Sequence, residues 1–221
     1  MTKQKAISTT KPTVKVIGVG CGGNNIVNHI SQSNLDSMSF MACDMDAKVL
    51  EKSATATKLQ LGTDGLGSGN KPEKANLMAK ENIDAIRNLF DTNTSLTIVV
   101  TCLGGGCGTG AAPIIVRESK KMGITTIALA TLPFELEGER RFSQALEGIR
   151  NMARDTDALF LLNNQYIKEQ YSDLPINQAF EKADDLLAEV AKSFIHSMTE
   201  PQKVTKKTSR IKEFFKRLKV K

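Results

Sequence analysis

The chain has 221 residues, of which 40% are hydrophobic and 24% charged, with a formal net charge of +6. That is enough apolar material for one α/β core, and no apolar stretch approaches the roughly 20 residues that cross a bilayer. The four cysteines (21, 43, 102, 107) form no CxxC pair and His29 and His196 stand alone, which excludes a spaced zinc-ligand set; with a polar N-terminus lacking a secretory signal, this predicts reduced thiols in the cytoplasm.

In chain order, residues 1–12 read as a disordered arm. A strand at 14–18 then runs into Gly18-Val19-Gly20-Cys21-Gly22-Gly23 and a helix over 24–31. Gly18, Gly20 and Gly23 satisfy G-x-G-x-x-G, and Asp44 closes the next strand, 38–43, roughly 20 residues on, the spacing of a dinucleotide fingerprint. A short helix at 47–53 and a helix at 72–90 follow. The strand 96–102 leads into Leu103-Gly104-Gly105-Gly106-Cys107-Gly108-Thr109-Gly110, five glycines in the seven positions 104–110, then a helix over 108–122. Strand 125–131, helix 138–154, strand 159–163, a short helix to 171 and a long helix over 177–198 complete the pattern. This alternation predicts a three-layer, Rossmann-like, doubly wound and mainly parallel sheet in one domain, 13–198, whose ligand lies at the carboxyl ends of the strands, where both glycine loops fall.

Glycines let consecutive backbone N–H groups approach and cradle an anion at a helix N-terminus. A dinucleotide dehydrogenase needs one such loop, and two point to one polyphosphate gripped from both sides. G-x-x-x-x-G-K-[ST] is absent, so a phosphate-binding lysine of the ordinary P-loop kind is excluded. An NAD(P)-dependent oxidoreductase is the alternative from a different class, resting on Gly18 to Gly23 and Asp44; it lacks a catalytic His, Lys or Tyr constellation.

The second loop resembles the GGGTGTG signature of the tubulin and FtsZ superfamily, with Cys107 replacing the first threonine. The likeness extends to the first phosphate loop over 20–28, to an N-T-D-A loop at Asp44-Met45-Asp46-Ala47 and to a G-x-G-N-x-P loop at Gly67-Ser68-Gly69-Asn70-Lys71-Pro72. It continues through a P-F-x-F-E-G-x-x-R segment at Pro133-Phe134-Glu135-Leu136-Glu137-Gly138-Glu139-Arg140-Arg141. The resemblance covers about 14–198. It implies a GTP-binding domain in which Gly20, Cys21, Gly22, Gly23 and Asn24, together with Gly104, Gly105, Gly106, Cys107, Gly108, Thr109 and Gly110, cradle the phosphates. Thr109 adds a hydroxyl donor there, and Asp44 and Asp46 lie in the phosphate and metal vicinity. Glu137 and Arg141 are implied beside the ribose and phosphates. Guanine is implied over adenine, with Asn163 and one acid of Asp184 and Asp185, Asp185 preferred, meeting its edge while Phe180 stacks on its ring. Magnesium is expected through the phosphates, with no dedicated protein ligand.

The departures carry as much weight. In the family the long helix ends in N-x-D-x-x-D, whose acids help a water attack the γ-phosphate on the next subunit; here the chain reads Thr199-Glu200-Pro201-Gln202-Lys203-Val204-Thr205. Losing a water-positioning acid costs on the order of 10²–10⁴ in rate, so hydrolysis by the chain alone is expected to be weak or absent, and no catalytic residue is assigned. The family's second domain is also missing. Beyond Thr199, nine Lys or Arg against two Glu make 199–221 a basic linker and tail of net +7, leaving the rest about neutral. There Ile211, Phe214, Phe215 and Leu218 share one helical face among basic residues, an interfacial anchor for an anionic membrane; nonspecific nucleic-acid binding is the lesser reading. These features predict a cell-division or filament protein that assembles with itself or with a full-length FtsZ-type partner at the inner face of the membrane. The alternative role is a non-catalytic cap on that partner's filaments.

Overall fold

The computed structural model describes residues 13–32 and 38–199. The arm 1–12 and the tail bearing Ile211, Phe214, Phe215 and Leu218 lie outside the described residues. The elements in order are β1 (Thr13–Val19), α1 (Gly20–Ser31), β2 (Met38–Asp44), α2 (Ala47–Lys52), β3 (Thr57–Gln60), α3 (Pro72–Glu81), α4 (Ile83–Arg87), β4 (Thr94–Cys102) and α5 (Gly106–Lys121). They continue through β5 (Thr125–Leu132), a 3₁₀ turn (Glu135–Glu137), α6 (Glu139–Ala153), β6 (Ala158–Asn163), α7 (Asn164–Gln170) and α8 (Ile176–Thr199).

The six strands form one sheet in the order β3-β2-β1-β4-β5-β6, with every pairing parallel. Both faces are covered, as a parallel sheet requires, and alternate side chains divide between two cores. Val14, Val16, Leu96, Ile98, Val100, Ile127 and Leu129 pack with Ile26, Val27 and Ile30 of α1 and Leu187, Ala188 and Ala191 of α8. Ile17, Val19, Val99, Ala128 and Ala130 pack on the other face with Ala75 of α3, Ala111 and Ile115 of α5 and Met152 of α6. Lys15, turned inward on β1, is 7% exposed and pairs with Asp91 at 2.7 Å.

The structure adds β3, which lacks an apolar run and is held by its register on β2, Met41 to Thr57 through Asp44 to Gln60. It also divides the expected helix 72–90 at Asn82 (φ −103°, ψ 24°), whose side chain donates to the Met78 carbonyl at 2.8 Å. Helices α1 and α5 begin inside the glycine runs, earlier than the side-chain periodicity predicts. After β3 the chain crosses to the far side of β1, so the strand order reverses between β1 and β4, and a ligand crevice opens there in doubly wound sheets.

Candidate functional site

α1 starts at Gly20 directly after β1, and α5 at Gly106 after a short loop, 103–105, that follows β4, and their first turns offer unpaired N–H groups to the same space. The two glycine runs touch. Gly20 takes φ +78°, and a Cβ on it would stand 2.9 Å from the Gly108 nitrogen. Loop 66–71 closes a third side, so tightly that a Cβ on Gly106 would come within 2.1 Å of Ser68 Oγ and 2.7 Å of the Lys71 nitrogen. These walls surround a cavity of about 600 Å³.

The predicted residues divide between lining and scaffold. Gly20, Cys21, Gly22, Gly105, Gly106, Cys107 and Gly108 line the cavity, with Asp44, Asp46, Glu137, Arg141 and Phe180. Gly23 lies behind, where a Cβ would meet the Val100 carbonyl at 2.3 Å. Asn24 is buried and ties α1 to β2: its Oδ1 accepts the Cys43 N–H at 3.3 Å and its amide donates to the Cys43 carbonyl at 3.3 Å and to Asp44 Oδ2 at 3.4 Å. Gly104 donates its N–H to Thr109 Oγ1 at 2.9 Å, so this hydroxyl braces its own loop as an acceptor, a bond that does not use its O–H proton. Gly110 is pressed against α3, where a Cβ would lie 2.0 Å from the Pro72 carbonyl oxygen.

Glu137 and Arg141, one helical turn apart, bond to each other at 2.6 Å, and Glu137 Oε1 also accepts the Phe134 N–H at 2.8 Å. Phe180 meets Phe134 edge to face, with centroids 4.6 Å apart. Two expected residues are displaced by one position. Asn163 is exposed and caps α7, accepting the Gln165 N–H at 3.0 Å; Asn164, 4% exposed, lines the cavity, and its Oδ1 is buried without a hydrogen-bond partner. Asp185 faces α1 and pairs with His29 at 3.6 Å, whereas Asp184 lines the cavity. Local rules carry both signals: asparagine at a strand-to-helix junction is a natural N-cap, and on α8 position 184, four after Phe180, shares its side. Asn25 and Ser68, variable positions inside two of the resembled loops, also line the cavity, as do Cys102 and Thr131, which no motif marks.

The side chains make this glycine-walled space acidic, with Asp44, Asp46, Glu137 and Asp184 against Arg141. Burial pushes the Asp44 carboxyl up, although the N–H groups of Asp46 and Met45 and the Cys107 thiol pull it back. Burial, then the neighbouring charges of Asp185 and Glu181, raise Asp184 to about 7. Cys21 is exposed, while Cys107 is buried with its thiol on Asp44 and held well above the usual thiol range. Among the described residues no group of three or more His, Cys, Asp or Glu could hold a metal ion, and no helix is long and apolar enough to cross a membrane.

Residues 13–172 match the Tubulin/FtsZ family, GTPase domain. The chain is 40% identical over 182 residues to the cell division protein FtsZ of Porphyromonas gingivalis, covering 80% of this chain and 40% of that one. It is 35% identical over 201 residues to the cell division protein FtsZ 1 of Thermococcus kodakarensis, covering 90% and 54%. It spans about half the length of these curated relatives. Among solved structures, an FtsZ dimer of M. jannaschii superposes with a TM-score of 0.84 at 30% identity over 93% of this chain and 61% of that one. Haloferax volcanii CetZ2 shares the fold at a TM-score of 0.76 and 18% identity, over 87% and 60%. With its parallel six-stranded sheet and paired glycine loops at the strand ends, the chain belongs to the tubulin/FtsZ family through that family's GTPase domain.

Proposed function

We propose that the cavity binds GTP and GDP, and that the chain acts in an FtsZ-type cell-division filament. The observation that carries this is the pairing of two features across one cavity. The helix starts at Gly20 and Gly106 are suited to phosphates, and in the same lining Asn164 Oδ1 is buried without a partner, with Asp184 and Phe180 lining the cavity as well. Guanine offers an N1–H and an amino group, both donors, so the Asp184 carboxylate and the unpartnered Asn164 Oδ1 suit it as acceptors, with Phe180 against the ring; adenine presents an acceptor at N1 instead. Asn164 and Asp184 take the roles first given to Asn163 and Asp185. Glu137 and Arg141, which line the same cavity, take the ribose and phosphate roles in this reading. A magnesium ion would be held by the phosphates themselves and would neutralise charge on them, with Asp44 and Asp46 in the same lining and, among the described residues, no dedicated protein ligand set. The NAD reading is disfavoured because the Asp44 carboxylate, its ribose ligand, is engaged by the N–H groups of Met45 and Asp46 at 2.7 and 3.1 Å.

Hydrolysis by the chain alone is slow, since 199–205 offers one acid and no Asp; a full-length FtsZ-type partner supplies the missing acids in trans, and the basic tail adds membrane affinity. Nucleotide released from the purified protein, resolved by HPLC, together with titrations of GTP and ATP, tests the binding step. Bound guanine nucleotide and preference for GTP are expected, lost in Asn164→Ala and Asp184→Ala; ATP binding as tight as GTP would overturn the guanine assignment. Phosphate release and pelleting with and without full-length FtsZ and anionic vesicles test the rest, with rapid turnover by the chain alone as the refuting result.

A further inference from the structure

Asp44 ends β2 on the floor of the cavity, 3% exposed, at the position where the resembled N-T-D-A loop has asparagine. Its carboxylate is fixed from several walls. Oδ1 accepts the N–H groups of Met45 at 2.7 Å and Asp46 at 3.1 Å, Oδ2 faces the Asn24 amide of α1 at 3.4 Å, and the Cys107 thiol of α5 donates to it. Held in this way, it cannot swing into solvent when an anion arrives. Among the described residues no lysine or arginine pairs with it, and the one cation of the lining, Arg141, is bonded to Glu137. The backbone of the cradle therefore invites an anion while a carboxylate of the same lining, itself only 3% exposed, repels one, and a buried charge is screened less than one in water.

We propose that Asp44 makes occupation of this cavity by a polyphosphate conditional on a divalent cation carried with it, so that the site accepts the cation-complexed nucleotide and turns away the bare polyanion. The proposal rests on the guanine-nucleotide reading. An asparagine at 44 would keep its oxygen on the N–H groups of Met45 and Asp46 and remove the charge, losing the long Asn24 contact to Oδ2, which makes Asp44→Asn the smallest change that tests the charge.

Calorimetric titration of GDP and GTP into nucleotide-free wild type and Asp44→Asn, each with magnesium and with chelator, measures the effect directly. Wild type is expected to lose roughly tenfold or more in affinity when magnesium is withdrawn and Asp44→Asn about threefold or less, as expected when one fixed like charge is removed from a poorly screened site. Equal losses in both proteins would overturn the role of Asp44 and leave the nucleotide reading standing. Wild type binding bare GDP and GTP as tightly as their magnesium complexes would overturn it without recourse to the variant. Failure of wild type to bind guanine nucleotide even with magnesium would overturn both.

Discussion

Replacing Asp184 by asparagine should stabilise the nucleotide-free protein, and more so at alkaline than at acidic pH. Burial, reinforced by Asp185 and Glu181, lifts this carboxyl from 3.8 to about 7. The folded protein thus holds the proton more tightly than the unfolded chain, and from about pH 4 to pH 7 stability falls as pH rises. Linkage puts the penalty at about 2 kcal/mol at pH 5 and about 4 kcal/mol at pH 8; these are upper bounds, because the group is partly open to the cavity. Asparagine carries no such penalty. Urea unfolding of both proteins at the two pH values, with m unchanged, should show the gain from Asp184→Asn to be larger at pH 8 by roughly 2 kcal/mol. An equal gain at both pH values, or a loss at pH 8, would refute the argument that burial sets the state of this acid.

Gly110→Ala places a methyl 2.0 Å from the Pro72 carbonyl, and overpacking of backbone against backbone should cost about 1–3 kcal/mol, read as a lower urea midpoint; an unchanged midpoint would mean that α3 and α5 separate freely. Glu118 has no exposed side-chain surface and is bonded by Arg87 and Lys121 at 2.9 Å. Burial raises its carboxyl, but those two cations outweigh it and leave it below its ordinary 4.5. Glu118→Gln should therefore cost about 1–3 kcal/mol at neutral pH, a difference that should shrink as pH falls below the ordinary 4.5 and vanish once the lowered carboxyl of the folded protein is itself protonated; a cost that persists in stronger acid would assign it to packing. Iodoacetamide should label Cys21 first in the native protein, since Cys43 and Cys107 are buried and burial raises Cys102 to about 12; mass spectrometry finding Cys107 modified first would contradict the closed loop.

The strand-glycine-helix units were legible because their signals are local. β-branched runs such as 14–17 and 96–100 and a glycine-dense turn need no distant partner to be recognised. Strand β3 was not legible: its residues, Thr57-Lys58-Leu59-Gln60, have no apolar pattern and become a strand only by pairing with β2. The break at Asn82 was equally hidden in a continuous helical pattern.

By itself the sequence determined the alternation of elements, two glycine runs at strand ends and the family, because all three rest on residue identity and short-range spacing. Tertiary structure decided which side chains meet the cavity. Asn163 and Asn164, and Asp184 and Asp185, are pairs of like residues that composition cannot separate; helix capping and the packing of α8 on α1 turn one of each pair inward. It likewise set Thr109 Oγ1 as the acceptor of the Gly104 N–H and buried Asp44 at the end of β2. A side chain's charge and hydrogen-bonding capacity belong to its sequence, but its direction and desolvation arise only when the layers close around it.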